Sequence, residues 1–305
     1  MDRRDFVKRS VAAVGGGMLL GGNLRGQAGA AMQSAKPARR AIRKAVKIGM
    51  IDHPGSLTEK FQLLRELGFD GVELDAPSGL DLADALRARD AAGIQIHGVV
   101  CSVHWRDTLS DASAEVRAKG RAGLETAIRD AARLGGSTVL LVPAVVSKNV
   151  SYHEAYERSQ AEIRKVLPLA AELKIQIAFE NVWNNFLLSP LEAARYVDEF
   201  QSPQVGWYFD VGNVVHYGWP EQWIRILGKR IIKLDIKEYS RKKCNDEGLW
   251  KGFDCELLEG DCDWPAVMRA LDEIGFAGWA TAEIPGGGRE RLREIATRMD
   301  RIITS

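Results

Sequence analysis

The sequence has almost no net charge, few histidines, few cysteines and no long apolar run. Among its 305 residues, 42 Lys and Arg face 41 Asp and Glu, so it lacks the basic excess that nucleic acid binding needs. With five His, four Cys and no Cys-x-x-Cys pair, it also lacks the spacing of a zinc site. No stretch reaches about 18 apolar residues, so we predict no stable membrane insertion.

Two further absences narrow the fold class. Hydrophobic residues make up 46% of the chain, which excludes an intrinsically disordered protein. No Gly-x-Gly-x-x-Gly motif follows the first predicted strand, which weighs against a doubly wound, dinucleotide-binding sheet. The cysteines are predicted to be free thiols, although an oxidising compartment leaves disulfides open. They are Cys101, Cys244, Cys255 and Cys262.

The N-terminal segment predicts an address signal. Arg3 and Arg4 precede a weakly apolar run over residues 11–22, and small residues follow at 28–31. This order is typical of a cleaved secretory signal, and the paired arginines resemble a twin-arginine export signal. We therefore expect residues 1–31 to direct export to the periplasm, with residues 32–45 as a spacer. The alternative is a basic tail on a cytoplasmic protein.

From residue 46 onward, short β-rich runs alternate with helical patterns. Parallel strands need long crossovers, so this alternation over about 260 residues predicts a single-domain (β/α)₈ TIM barrel over residues 46–305. A doubly wound open sheet is the competing fold. The predicted strands are Val46–Ile51, Gly71–Leu74, Ile94–Val100, Thr138–Val142, Ile175–Glu180, Val205–Asp210, Ile231–Ile236 and Trp279–Ile284.

Acidic residues stand at the ends of several predicted strands. The carboxyl ends of all strands meet at one mouth of such a barrel, where catalytic groups sit. Carboxylates gathered there repel one another unless a cation is present, and oxygen ligands suit Mg²⁺ or Mn²⁺. The residues are Glu73, Asp75, Glu180, Asp210, Asp235, Glu238 and Glu283.

Several segments resemble the sugar phosphate isomerase/epimerase superfamily, whose members have a xylose isomerase-like TIM barrel. They are residues 177–181 (IAFEN), 209–213 (FDVGN), 233–238 (KLDIKE), 259–264 (EGDCDW) and 282–284 (AEI). The resemblance implies a divalent metal held by Glu180, Asp210 and Glu283, with a fourth ligand from the seventh strand. There the ketose 3-epimerases have His and this chain has Asp235, whereas xylose isomerases use carboxylates throughout. Phe186 replaces a glutamate that the ketose 3-epimerases carry.

The resemblance also implies the chemistry. Isomerisation or epimerisation of a sugar removes a proton from the carbon beside a carbonyl, through an enediolate that a divalent ion stabilises. Glu180 and Glu283 are the candidate acid/base residues as well as ligands. Elimination on a 3-keto-glycoside begins with the same step and is the first alternative. A non-catalytic sugar-binding barrel is the second, while the histidine count and charge disfavour a phosphodiesterase. A homo-oligomer is left open.

Further residues near the predicted mouth are candidates for sugar binding. The segment of residues 242–262 is long for a strand-to-helix connection and is predicted to be a loop that acts as a lid. For each candidate a purely structural role is the alternative. Lys237 could instead offset the carboxylate charge, and Glu73 could pair with it. The candidates are Glu73, His104, Trp105, Asn181, Asn213, His216 and Lys237.

Overall fold

The computed structural model describes residues 40–305, which form a closed barrel of eight parallel strands paired in chain order. Helices lie between successive strands and pack outside the barrel. The predicted (β/α)₈ fold is therefore confirmed. The strands are β1 Ile42–Lys47, β2 Gly71–Ala76, β3 Gln95–Cys101, β4 Thr138–Leu141, β5 Gln176–Glu180, β6 Val205–Asp210, β7 Ile231–Ile236 and β8 Gly278–Ala282.

Helices connect the strands and cover the barrel, and their ends carry the expected local signals. Ser56 and Ser151 each form a capping box with the glutamate three residues later, and Gly93 and Gly135 end helices in the left-handed conformation. The helices are α1 Leu57–Glu66, α2 Leu82–Ala92, α3 Ala114–Leu134, α4 Tyr152–Leu173, α5 Pro190–Asp198, α6 Gly212–Val215, α7 Pro220–Leu227, α8 Arg241–Glu247, α9 Trp264–Glu273 and α10 Arg289–Ile303.

The first strand lies earlier in the chain than predicted. It was expected over Val46–Ile51 but ends at Lys47, and residues 48–50 form a turn of 3-10 helix. Residues 42–45, assigned to the spacer, therefore belong to the barrel. The charged residue Lys44 hid the strand pattern in the sequence. In the structure this residue is buried, and its ammonium group pairs with Asp300 at 2.7 Å. The predicted signal at residues 1–31 lies outside the described residues.

The segment after β7 is more structured than predicted. It was expected to be a loop over residues 242–262, but α8 begins at Arg241 and a 3-10 turn spans Leu249–Phe253. Tyr239, just past β7, holds this turn by donating its hydroxyl to the carbonyl of Leu249 at 2.9 Å. The turn thereby lies over the carboxyl end of β7.

Two expectations about the chain as a whole can be compared with the described residues. None of their helices is long and apolar enough to cross a membrane. The thiols of Cys101, Cys244, Cys255 and Cys262 are all unpaired.

Candidate active site

Four carboxylates from neighbouring strands meet at the carboxyl end of the barrel. Glu180 ends β5, Asp210 ends β6, Asp235 is the last residue but one of β7, and Glu283 follows β8 directly. Each offers an oxygen, and these oxygens lie within 4.8 Å of one another. The strand register explains part of the approach, because Asp210 and Asp235 are paired neighbours in the sheet. These are the four residues proposed from the sequence as metal ligands, and the structure brings them together.

Two lysines enter this carboxylate cluster. Lys47, the last residue of β1, has its Nζ 3.1 Å from Asp235 and 3.4 Å from both Glu73 and Glu283. Lys237, just after β7, has its Nζ 2.7 Å from Glu283 and 2.9 Å from Asp210. The ammonium groups therefore lie between carboxylates that would otherwise repel each other.

Lys47 was not predicted from the sequence as a site residue, because β1 was placed too late in the chain. A strand over residues 46–51 puts Lys47 at the amino end of the barrel, far from the mouth. The true strand ends at Lys47, so its side chain reaches the carboxylates. The sequence does show a lysine after a short apolar run and before a turn. That pattern indicates a residue at the mouth only if the strand is known to end there.

The surroundings push the pKa values of these carboxyls in different directions. Burial, with repulsion from Glu283, raises the pKa of Glu180 well above its usual range, and burial also raises that of Asp235. Burial raises the pKa of Asp210 to about 6. Burial would also raise the pKa of Glu283, but the two lysines outweigh it and lower that pKa to about 2.

The donor set suits a divalent metal ion. With Glu73, five carboxylates face two ammonium groups, which leaves three negative charges uncompensated when all are ionised. The buried oxygens Glu73 Oε1 and Asp235 Oδ1 accept no hydrogen bond. Clustered, unsatisfied carboxylate oxygens are the ligands that hard divalent cations take in proteins. The residues present therefore fit the metal that the sequence predicts.

A column of polar side chains fills the barrel beneath the cluster. The Nζ of Lys233 donates to the His97 carbonyl at 2.6 Å and lies 2.7 Å from His97 Nδ1, and His97 Nε2 lies 3.2 Å from Thr281 Oγ1. The Thr281 and Tyr208 hydroxyls are 2.8 Å apart, and Tyr208 donates to Glu73 Oε2 at 3.3 Å. Branched apolar side chains usually fill such barrels. Here hydrogen bonds run from Lys233 up to the carboxylate that pairs with Lys47.

Above the cluster lies a cavity of 640 Å³. Carboxylates and the two lysines form its polar side, and an aromatic wall of Trp183, Trp250 and Phe253 forms another. Ring centroids of Trp183 lie 4.9 Å from those of both Trp250 and Phe253. The full lining is Lys47, Asp75, Val100, His104, Trp105, Leu140, Glu180, Val182, Trp183, Asn213, Lys237, Glu238, Trp250, Phe253, Asp254, Glu283, Ile284 and Pro285.

Four of the predicted sugar-binding residues line this cavity. Trp105 is exposed at its rim, and His104 is buried beside it, where Nδ1 accepts a hydrogen bond from the Val142 N–H at 3.1 Å. Burial lowers the pKa of His104 to about 3, so the ring is neutral. Asn213 and Lys237 complete the four, and the Asn213 N–H donates to Asp210 Oδ1 at 2.8 Å.

Three predicted sugar-binding residues do not line the cavity. Asn181 is buried and fully engaged, since its Oδ1 accepts hydrogen bonds from the Trp207 indole and the Asp210 N–H while its Nδ2 donates to the Asp210 carbonyl. It therefore joins β5 to β6. The exposed His216 packs against Trp183, outside the lining. Glu73 lies below the cavity, and its ion pair is with Lys47, not with Lys237.

Glu238 is also a structural anchor. This buried residue accepts hydrogen bonds from the Leu258 and Cys262 N–H groups at 2.8 and 3.0 Å and from the Trp264 indole at 2.8 Å. Its carboxylate therefore fixes residues 258–264 against the end of β7. The contact joins the last glutamate of the segment KLDIKE to the tryptophan of the segment EGDCDW.

Comparison with known proteins supplies a family and relatives. A family model described as a xylose isomerase-like TIM barrel matches residues 61–302. L-ribulose-5-phosphate 3-epimerase UlaE of Escherichia coli O1:K1 / APEC is 24% identical over an alignment of 261 residues, and the match covers 79% of this chain and 89% of that protein.

Solved structures with the same fold are more distant in sequence. D-allulose 3-epimerase from Methylomonas sp. in complex with D-allulose has a TM-score of 0.70 at 17% identity, covering 87% of this chain and 96% of that one. The 3-keto-D-glucoside 4-epimerase YcjR of E. coli has a TM-score of 0.68 at 15% identity, covering 87% of this chain and all of that one, 100%. At these identities the likeness shows the fold alone.

Proposed function

Because this chain belongs to the xylose isomerase-like TIM barrel family, we propose that it is a divalent-metal-dependent sugar isomerase or epimerase. The observation that carries the proposal is the cluster of four carboxylates, whose oxygens lie within 4.8 Å of one another at the mouth of the barrel. The similarity to a named sugar epimerase supports the same class of reaction. Glu180, Asp210, Asp235 and Glu283 would hold the ion, and Mn²⁺ or Mg²⁺ suits these ligands.

The bound ion would supply a fixed positive charge beside the sugar oxygens, which favours the enediolate that forms on deprotonation. Glu180 and Glu283 would move the proton. In the metal-free protein their surroundings separate their pKa values, low for Glu283 and high for Glu180, so Glu283 is the group held ionised and suited to act as the first base. Glu180 ends β5 and Glu283 follows β8, with β6 and β7 between them, so a sugar bound over the cluster can meet both.

Lys237 and His104 would assist from the chain itself. Lys237 lines the cavity with its Nζ 2.7 Å from Glu283, so it can keep that base ionised and donate to a substrate oxygen. His104 is held neutral with its Nδ1 occupied by the Val142 N–H, so its Nε2 carries a hydrogen that a sugar oxygen can accept. Both groups are fixed before substrate binds, which reduces the cost of organising the site.

Elimination on a 3-keto-glycoside is the second candidate, and the position of Phe186 favours it. The ketose 3-epimerases carry a glutamate there, but Phe186 is buried against Tyr152 and Tyr156, and it does not line the cavity. Proton removal beside the ketone is shared by both reactions. The two reactions differ in the second step. Elimination breaks the glycosidic C–O bond and releases the group attached through it, whereas epimerisation returns a proton to the same carbon.

The reaction can be tested by NMR detection of solvent deuterium that enters sugars in the presence of Mn²⁺. The panel contains aldoses, ketoses and 3-keto-glycosides, and we expect exchange at one carbon of one class. Glu180→Gln and Glu283→Gln should each lower exchange at least about 100-fold, because each removes a proton-transfer group. The surface variant Glu157→Gln on α4 makes the same chemical change and should keep full exchange.

Two results would contradict the proposal. Exchange at the wild-type rate in either variant would remove the mechanism with two carboxylates. A protein that binds sugars but exchanges none of them would be a binding barrel without catalysis.

Export to the periplasm is a separate proposal, which rests on the sequence alone because residues 1–31 lie outside the described part of the chain. Replacing both with Lys should retain the protein in the cytoplasm, as fractionation and immunoblotting would show. Arg9→Lys with Arg25→Lys is the matched control and should leave export intact. Export of the Arg3→Lys, Arg4→Lys variant would contradict the proposed signal.

A further inference from the structure

The cavity extends well beyond the carboxylate cluster, along the aromatic wall. Its 640 Å³ lies within the range of pockets that enclose drug-sized molecules, so it has room for more than one sugar ring. The wall stands on the segment that connects β7 to α9, because Trp250 and Phe253 belong to its 3-10 turn. Trp105, after β3, stands at the rim of the same cavity.

Two of these aromatic side chains are unusually exposed. Trp250 is 67% exposed and Trp105 is 52% exposed, although large aromatic rings are normally the most buried surface of a protein. Trp183 behind Trp250 is fixed, since its indole donates to the Asn213 carbonyl at 2.9 Å. The wall is therefore an aromatic face, backed by the fixed indole of Trp183, that lines the same cavity as the carboxylates, and a fixed side chain binds with little loss of entropy.

The charges that line the cavity disfavour a phosphate group as the ligand of this wall. Lys47 and Lys237 are the cationic residues among the described lining, and both are paired with carboxylates. At the outer rim, Lys251 pairs with the Asp254 carboxylate, and Lys243 donates to the Asp254 backbone carbonyl. Within the lining, a phosphate would therefore meet a carboxylate-rich surface whose two lysines are already paired. An uncharged ring meets no such penalty, and the CH faces of a sugar pack well on indole rings.

We propose that Trp183, Trp250 and Phe253, with Trp105 at the rim, form a second sugar subsite, so that the substrate is an uncharged glycoside or disaccharide. One ring would lie over the carboxylates and the other on the aromatic wall. The inference rests on the proposed function, since it assumes that the first ring is the one that reacts. It excludes a sugar phosphate or a lone monosaccharide as the preferred substrate.

Binding of sugars that cannot react tests the subsite separately from catalysis. Methyl glycosides of glucose, galactose and mannose lack a carbonyl, and we would compare each with methyl glycosides of the corresponding disaccharides by isothermal titration calorimetry. We expect at least one disaccharide to bind about 10-fold more tightly than its monosaccharide counterpart. Trp250→Ala should abolish this preference by weakening the binding of the disaccharide. Trp219→Ala removes a Trp that is 55% exposed outside the cavity and should change neither affinity.

Each other outcome would overturn the proposal. These are equal affinities for one and two rings across the panel, a preference that survives Trp250→Ala, or displacement of the glycosides by millimolar inorganic phosphate. The probes do not react, so the two proposals can fail separately. If the wild-type protein binds disaccharides but catalyses no deuterium exchange, the proposed function is refuted and the subsite is not. Exchange on monosaccharides without any disaccharide preference would refute the subsite alone.

Discussion

Lys47 contacts carboxylates from three other parts of the barrel, and its charge is part of how the cluster can exist. Its ammonium group lies within 3.4 Å of Glu73, Asp235 and Glu283. These carboxylates, together with Glu180 and Asp210, would otherwise stand close together with Lys237 as their remaining cation. Lys47 therefore acts as an internal counter-charge, and a bound metal ion must share the carboxylates with it.

Lys47→Met should strengthen Mn²⁺ binding while it destabilises the metal-free protein. Removing one positive charge within about 4 Å of the ligands increases their attraction for the ion, and we expect the dissociation constant to fall at least 10-fold, about 1.4 kcal/mol. Calorimetric titration with Mn²⁺ measures the change. Lys119→Met, on the exposed face of α3, is the matched control. An unchanged Mn²⁺ affinity would contradict the counter-charge role.

His104 should make the stability of the protein depend on pH in the acid range. Burial lowers its pKa to about 3, whereas an unfolded chain has a histidine pKa near 6.5. Between these values the unfolded state binds a proton that the folded state does not, so the free energy of unfolding falls as the pH falls from about 6.5 towards 3. The contribution of one proton approaches about 1.4 kcal/mol per pH unit.

The variant His104→Asn isolates this contribution. Its side-chain oxygen can still accept the Val142 N–H, but it does not titrate. Chemical denaturation between pH 7 and pH 4 should show a steeper loss of stability for the wild type than for the variant. Parallel curves for the two proteins would mean that His104 is not held neutral.

The sequence predicted the positions of the acidic site residues better than the contacts of the side chains around them. Glu180, Asp210 and Glu283 each stand at or just past the end of an apolar run, where chain position alone puts them at the mouth. Asn181 looked like a ligand for hydroxyl groups, because nothing in the sequence shows that its amide is already used by Trp207 and Asp210. Side-chain partners depend on tertiary contacts that span many residues, and local patterns do not encode them.

Among the elements, the segment between β7 and α9 depends on one buried carboxylate. Glu238 accepts hydrogen bonds from two backbone N–H groups and one indole, so residues 258–264, which follow the turn that carries Trp250 and Phe253, are attached to the barrel through it. The segment RKKCNDE of α8 was not predicted as a helix. It is short and polar, and its start depends on the Ser240 side chain accepting the Lys243 N–H.

Glu238→Ala should loosen this segment more than the rest of the barrel. It leaves two buried donors, the Cys262 N–H and the Trp264 indole, without a partner, at about 1–3 kcal/mol for each, and it frees the part-buried Leu258 N–H. We expect faster hydrogen exchange over residues 258–264 in mass spectrometry, with smaller changes in the peptides of β1 to β6. Glu259→Ala removes an exposed carboxylate from the same segment and should leave the exchange pattern unchanged. If Glu238→Ala and Glu259→Ala have the same exchange pattern, the Glu238 anchor is dispensable.

The barrel as a whole was predictable because its elements repeat. Eight alternations of strand and helix, with glycines closing several helices, leave few arrangements besides a closed parallel barrel. The polar interior was not predictable in the same way. His97, Tyr208, Lys233 and Thr281 are separated by up to 184 residues in their hydrogen-bonded pairs, and they become neighbours only after the barrel closes.

Metal binding should stabilise the entire molecule, since the ligands come from four strands that must be assembled for the site to exist. At free Mn²⁺ about 100-fold above the dissociation constant, the free energy of unfolding should rise by about 2.7 kcal/mol relative to the protein in EDTA. Thermal denaturation with and without Mn²⁺ measures this increase. Asp235→Ala should lose most of it, whereas Asp246→Ala on α8, away from the cluster, should retain it. Equal gains in both variants would exclude Asp235 as a ligand.

The polar column also limits how this protein can be re-engineered. A chimera that transplants the eight mouth loops onto another barrel would bring Lys237, but it would leave behind Lys47, Glu73, Tyr208 and Lys233, which belong to the strands. Even within the strands the fit is narrow, because a methyl group on Gly98 would lie 2.8 Å from the Lys233 ammonium. Recombination between homologues should therefore exchange whole strands together with their loops, and catalytic transplants limited to the loops should fail.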